Sequence, residues 1–343
     1  MAEQGEETRL EVASSPHLHE EDNIERIMYS VLLALLPAIA ASIYYFGWDA
    51  IRVYLLSTAA AEASELACLW AREKPLNRAA DGSALVTGLL LAMIIPASVP
   101  WYCPVVGSAF AIFIAKHTFG GLGCNIWNPA LSARIFLQFA WPLSITKSSW
   151  TVPNLLYSTS AVAADATTRA SALFKDAAGE AATGAYSYLD LLLGNGVPGS
   201  LGETCKIALI IGGIYLVIRR CIDWRVPVFY IATVFVLTTI MPAPEGAPAW
   251  TNNGLYHVLS GGLMIGAIFM ATDMVTTPVT RRGRIVFAVG CGLLVSLIRL
   301  YGGYPEGVAY SIVLMNTATP LIDRWVRPTT FGAQTATPSA ETA

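Results

Sequence analysis

The residues of this chain that could do chemistry are few, and most stand where an ionisable group is costly. Asp273 and Glu306 sit in apolar sequence broken by glycine and proline, in Thr272-Asp273 with Thr276-Thr277-Pro278 and in Gly302-Gly-Tyr-Pro-Glu306. Charged groups within apolar spans are functional candidates by default. Arg134 lies in another such run, where it would hold a phosphate or pair with a carboxylate. Glu62 and Glu65 are three apart and so share one helix face. A contact with a partner subunit, a polar helix end and an ion pathway all fit that pair. Asn125, Asn128 and Asn316 can each donate and accept, which suits the polar edge of a heteroaromatic ring and equally the capping of broken helices.

Hydroxyls crowd one further stretch, Asp165-Ala-Thr-Thr-Arg-Ala-Ser171, which by composition is an ordinary loop. No Ser-His-Asp arrangement can be drawn, because His17 and His19 fall in the N-terminal tail and His117 and His257 near other loops. The six cysteines show no CxxC pair and no metal-ligand spacing, and read as small apolar residues.

The elements that must position these groups follow from composition. Of 343 residues, 55% are hydrophobic and 13% charged, with a mean hydropathy of +0.54, well outside soluble averages. The fold class is therefore an all-α polytopic membrane protein. A net charge of −3 offers no basic face for nucleic acid. A crossing helix needs roughly 20 mostly apolar residues, and about ten transmembrane helices can be drawn, at 28–47, 50–70, 84–99, 101–119, 127–141, 205–222, 226–241, 255–272, 284–300 and 306–323. The polar, acidic start shows no cleavable signal, so the first span is expected to act as its own insertion signal.

Lys and Arg concentrate on one side of these spans, among them Arg72, Lys74, Arg78, Lys116, Arg219, Arg220, Arg281, Arg282 and Arg284. The positive-inside rule makes that side cytoplasmic. Both termini are then cytoplasmic and the 144–203 loop is external. Gly88-Leu-Leu-Leu-Ala-Met93 resembles Gly266-Ala-Ile-Phe-Met-Ala271, and Phe119-Gly-Gly121 resembles Tyr301-Gly-Gly303. Two repeats of five spans each follow, and an odd number of crossings inverts the second against the first. Such repeats meet at broken helices lining a site. The expected organisation is a tail (1–26), a first membrane repeat (27–143), the external loop (144–203), a second membrane repeat (204–325) and a C-terminal tail (326–343).

Several stretches, in order along residues 15 to 325, resemble the D subunit of the Rnf complex and its relative, the B subunit of the sodium-pumping quinone reductase. They include Asp81-Gly-Ser-Ala-Leu-Val-Thr-Gly-Leu-Leu-Leu-Ala92, Phe119-Gly-Gly-Leu-Gly123 with Asn125 and Asn128-Pro-Ala130, and Pro198-Gly-Ser-Leu-Gly-Glu203. Met270-Ala-Thr-Asp273 with Thr280, and Tyr301-Gly-Gly-Tyr-Pro-Glu-Gly-Val-Ala309 with Leu314-Met-Asn316, extend the likeness. The resemblance implies a flavoprotein subunit of an ion-translocating ferredoxin:NAD⁺ oxidoreductase in a prokaryotic cell membrane, inactive alone. It implies FMN joined by a phosphoester to an external hydroxyl, within a motif of Asp, two residues, Ser or Thr, then Gly-Ala-Thr. Asp165, Thr168, Ala170 and Ser171 match in register, which makes Ser171 the expected acceptor and Thr168 the fallback. Arg169 stands where Gly is usual and Ala172 where Pro is common.

A second flavin, riboflavin held without a covalent bond among the helices, also follows from the resemblance. The cofactor-binding residues expected besides Ser171 and Thr168 are Asn125, Asn128, Arg134, Asp273, Thr276, Glu306 and Asn316. The expected partners are the other Rnf subunits, including a second FMN-bearing subunit and iron–sulfur membrane subunits. A five-plus-five inverted repeat also resembles the urea-channel architecture, and a solute channel would show a continuous polar path and no flavin. A scaffold for partner subunits is the third reading.

Overall fold

The computed structural model describes residues 23–147, 187–242, 249–302 and 306–327. Among these the chain is helical, with no strand. Every expected span falls on helix. The first half comprises α1 (Ile24–Phe46), α2 (Trp48–Ala71), α3 (Ser83–Met93), α4 (Tyr102–Phe110), which continues as a π-helical segment over Ala111–His117, and α5 (Pro129–Ala140). A short α6 (Tyr188–Leu193) precedes the second half. There α7 (Lys206–Ile218) and α8 (Arg225–Ile240) are followed by a split span, α9 (Gly254–Leu259) and α10 (Leu263–Ile265), which runs into a second π-helical segment, Gly266–Met270. Helices α11 (Arg281–Tyr301) and α12 (Val308–Trp325) complete it.

Local chemistry fixes the ends. Asn128 caps α5, its Oδ1 accepting from the Ala130 and Leu131 N–H groups at 3.1 and 3.3 Å, with Pro129 at the first helical position. Thr280 Oγ1 accepts the Gly283 N–H at 3.0 Å, so α11 begins three residues earlier than apolarity alone suggests. Gly47, at φ +60°, is the single residue between α1 and α2, a turn that a side chain would resist.

The breaks stand where glycine and proline foretold them. With 11 and 12 residues, α3 and α5 rise only about 17 and 18 Å, against a hydrocarbon core of about 30 Å. The rest of those crossings is irregular backbone, which must be buried in protein. After α3 most of it is: Ile94, Ile95, Ala97 and Val99 are at most 4% exposed, whereas before α5 Gly123, Cys124 and Ile126 are exposed.

Contacts within the second half repeat those of the first. Helix α2 packs on α3 and α4 as α8 packs on α9 and α11, and α4 meets α5 as α11 meets α12. Across the junction α1 lies on α7 and α5 on α12, each helix meeting its counterpart. One apolar core cluster runs through both halves and includes the buried Leu91, Met93, Leu131, Leu137, Ile265 and Ile312. Large apolar side chains such as Leu36, Leu55, Ile214, Ile240, Leu293 and Leu314 instead face outwards. An apolar interior beneath an apolar exterior is the pattern of a protein solvated by lipid.

Candidate functional site

Two buried polar clusters lie along the junction. The first gathers around the start of α5. Asn128, besides capping that helix, donates from Nδ2 to the Met270 carbonyl at 3.3 Å, which ties α5 to the end of the second π-helical segment. The Asn316 amide, oriented to its surroundings, donates to the Ile312 carbonyl at 3.2 Å and accepts the Asn128 N–H at 3.1 Å. Both amides are thus used in bracing helices. Asn125 Nδ2 donates to the Trp127 carbonyl at 3.1 Å.

Beyond the π-helical segment, Asp273 closes a turn. Its Oδ1 accepts from the Val275 N–H at 3.4 Å and its Oδ2 from Thr276 Oγ1 at 3.3 Å. The Thr276 carbonyl in turn accepts from Thr319 Oγ1 on α12 at 2.9 Å. Asn125, Asn128, Asp273, Ser83, Thr87 and Lys116 contribute the polar part of a pocket whose remaining wall is apolar, with Met28, Val86, Leu90 and Phe269. Thr276 and Asn316 stand behind this pocket and do not line it.

Lys116, counted among the cations of the inner side, is itself buried, at 2% exposed. Its Nζ donates to Glu65 Oε2 and to Ser83 Oγ, both at 2.8 Å. His117 Nε2 lies 2.9 Å from the same Glu65 oxygen. Glu65 is buried and paired, whereas Glu62, one face-neighbour away, is half-buried. Lys116 ends an apolar run, so in sequence it resembles a side chain reaching for the interface. Only the fold brings it to a residue 51 positions earlier.

The second cluster lies towards the other end of the junction. Arg134 pairs with Glu306, its Nη2 donating to Oε2. Of the two partners that suit Arg134, the structure therefore shows the carboxylate. Glu306 Oε1 accepts from the Gly262 N–H, in the break between α9 and α10, at 3.2 Å. Glu203, Lys206 and Arg299 join this cluster, and each is at most 4% exposed. Arg299 donates to the carbonyls of His257 and Ser260, at 2.5 and 3.2 Å. Spacing alone did not single out these three as site residues. The signal for Glu203 was Ser200-Leu-Gly-Glu203, a capping pattern, and its side chain does reach back to the Ser200 N–H at 3.4 Å. Thr168 and Ser171 lie outside the described residues.

This chain also matches one protein family over residues 11–332, nearly its whole length: the NQR2, RnfD, RnfE family. The chain belongs to that family. Among its relatives is the D subunit of the Na(+)-translocating ferredoxin:NAD(+) oxidoreductase complex of Acetobacterium woodii, 43% identical over 95% of this chain and 96% of the other. Its counterpart in the proton-translocating ferredoxin:NAD(+) oxidoreductase complex of Clostridium ljungdahlii is also 43% identical, over 94% and 96%. The D subunit of the ion-translocating oxidoreductase complex of Stutzerimonas stutzeri is 42% identical over 90% and 92%. In this member of the NQR2, RnfD, RnfE family, every described residue singled out for a cofactor belongs to one of the two clusters or braces it.

Proposed function

We propose that the chain is the D subunit of an ion-translocating ferredoxin:NAD⁺ oxidoreductase complex and carries FMN on the Ser171 hydroxyl. The observation that carries this reading is end-to-end similarity to subunits so named, together with the register of Asp165, Thr168, Ala170 and Ser171. Two relatives of equal similarity are named for different ions, so the reading extends to Na⁺ or H⁺. Serine offers the nucleophilic oxygen that a phosphoester requires, and Arg169, two residues earlier in the sequence, carries a charge that can neutralise the phosphate. The other complex subunits, among them a second FMN-bearing subunit and iron–sulfur membrane subunits, would donate and accept the electrons. The cell membrane is its location, with cytoplasmic termini and the 144–203 loop outside.

The pocket at the start of α5 suits a non-covalently held riboflavin. An apolar pocket with a few convergent polar groups is the usual form of a cofactor site. Asn125 Oδ1 and the third Lys116 proton are the groups free to orient a ring edge, because the Asn128 amide is already used within the protein. Bound flavin supplies electron transfer one or two at a time. Phe269 and Leu90 would keep water from a bound ring, and Asn125 would orient it.

In-gel fluorescence of the denatured protein tests the covalent reading. A fluorescent band from cells holding the attachment enzyme, lost in Ser171→Ala and kept in Thr168→Ala, is the expected result. No band in the unsubstituted protein would sink it.

A further inference from the structure

Glu203 is 4% exposed, and its Oε1 has no hydrogen-bond partner among the described residues. Its carboxyl lies against that of Glu306. Gly262 sits between them: its N–H donates to Glu306 Oε1 at 3.2 Å, and a Cβ on it would stand 3.2 Å from Glu203 Oε1. The nearby cations are engaged elsewhere. Arg134 holds Glu306, Lys206 Nζ donates to the Glu203 main-chain carbonyl, and Arg299 donates to the His257 and Ser260 carbonyls. His257, on α9, places Nε2 2.9 Å from the Thr251 carbonyl. Helices α3 and α10, which also pack on the 201–203 turn, have no charged residue, and the charged residues of α1, Glu25 and Arg26, lie at its far end. Among the described residues no ion pair includes the Glu203 carboxylate.

A carboxylate buried without a counter-ion takes up a proton in preference to keeping its charge. Two carboxyl groups in contact, of which only Glu306 has a cation as partner, need one proton to hold together. We propose that Glu203 is a proton-binding site, its carboxyl donating to the Glu306 carboxylate so that the pair carries one proton and one charge, which Arg134 neutralises. The positions are specific to this end of the junction: Glu203 leads into α7, Glu306 into α12 and Arg134 belongs to α5. Release of the proton to water would leave two carboxylates in contact against one guanidinium. Repulsion would then act within the second half, between the turn before α7 and the start of α12, and the state of this proton bears on Glu306, whose pair with Arg134 on α5 joins the two halves. None of this depends on the flavin.

Infrared spectroscopy of the full-length protein at neutral pH tests it. The C=O stretch of a protonated carboxylic acid should be present, shift in D₂O, and lose one component in Glu203→Gln. The apparent melting temperature gives a second readout. A proton held in the folded state and released on unfolding makes stability fall as pH rises above the ordinary carboxylate range, and Glu203→Gln should lose that decline, matching the unsubstituted protein in acid and exceeding its melting temperature as pH rises. An unchanged infrared band, or an unchanged pH profile, in Glu203→Gln would overturn the proposal. So would failure of both Glu203→Gln and Glu203→Met to fold, because a protonated Glu203 is closest to neutral side chains of its length.

Discussion

Arg134, six residues after the Asn128 cap of α5, forms an ion pair with Glu306 at the approach to α12, and so joins the first half of the chain to the second. The two side chains are 7% and 12% exposed, and removing one member leaves the other as an uncompensated buried charge. Glu306→Gln is expected to destabilise the protein by about 3–5 kcal/mol, and replacement of both by apolar residues of similar size by much less. Thermal denaturation in detergent of Glu306→Gln, Arg134→Met, Glu306→Leu and the double variant Arg134→Met with Glu306→Leu checks this. Additive losses would contradict it.

Packing of α1 on α7 depends on Gly212. A Cβ there would stand 2.1 Å from the Ala34 carbonyl oxygen, a main-chain atom that cannot turn aside. Gly212→Ala is expected to cost about 1–3 kcal/mol through overpacking. At Gly290 the nearest atom is the Met315 methyl at 2.5 Å, the end of a flexible chain, and Gly290→Ala should cost distinctly less. Melting temperatures of the two variants, measured together, decide it.

The loop between α7 and α8 gives a prediction for acid. Burial alone would raise the Asp223 pKa, but the Arg225 N–H and the Arg284 and Arg225 guanidinium groups outweigh it and hold the carboxyl below its usual range. Arg284 lies 3.0 Å and Arg225 3.1 Å from Oδ2. A lowered pKa gives stability that is present above the ordinary carboxylate value and lost as pH falls through the lowered one. Asp223→Asn should therefore lower the melting temperature at neutral pH and narrow its gap to the unsubstituted protein in strong acid. A gap that stays constant with pH would count against the assignment.

Much of this arrangement is legible in the chain. Apolar runs mark the helices, and Pro96, Asn128-Pro129 and Gly302 mark where they stop, whereas the break between Leu259 and Leu263 falls inside the run 255–272 that reads as one span. Capping side chains, Asn128 and Thr280, set starts that hydropathy misses by a few residues. Pairings between distant charges are not legible, because neither Glu65 with Lys116 nor Arg134 with Glu306 has a spacing rule to reveal it. The amides show the converse difficulty. Asn128 and Asn316 have the chemistry to read a heteroaromatic ring, yet their positions commit them to each other and to helix ends. Only geometry separates a group that is able to bind from one that is free to.

Attachment of FMN to Ser171 is the step on which the proposed function turns. Fragmentation mass spectrometry of the peptide containing Asp165 to Ser171, from protein made in cells that possess the attachment enzyme, tests it most directly. The expected result is an added mass of FMN less one water, borne by Ser171 and absent in Ser171→Ala. An unmodified peptide, or the same addition on Thr168, would contradict it.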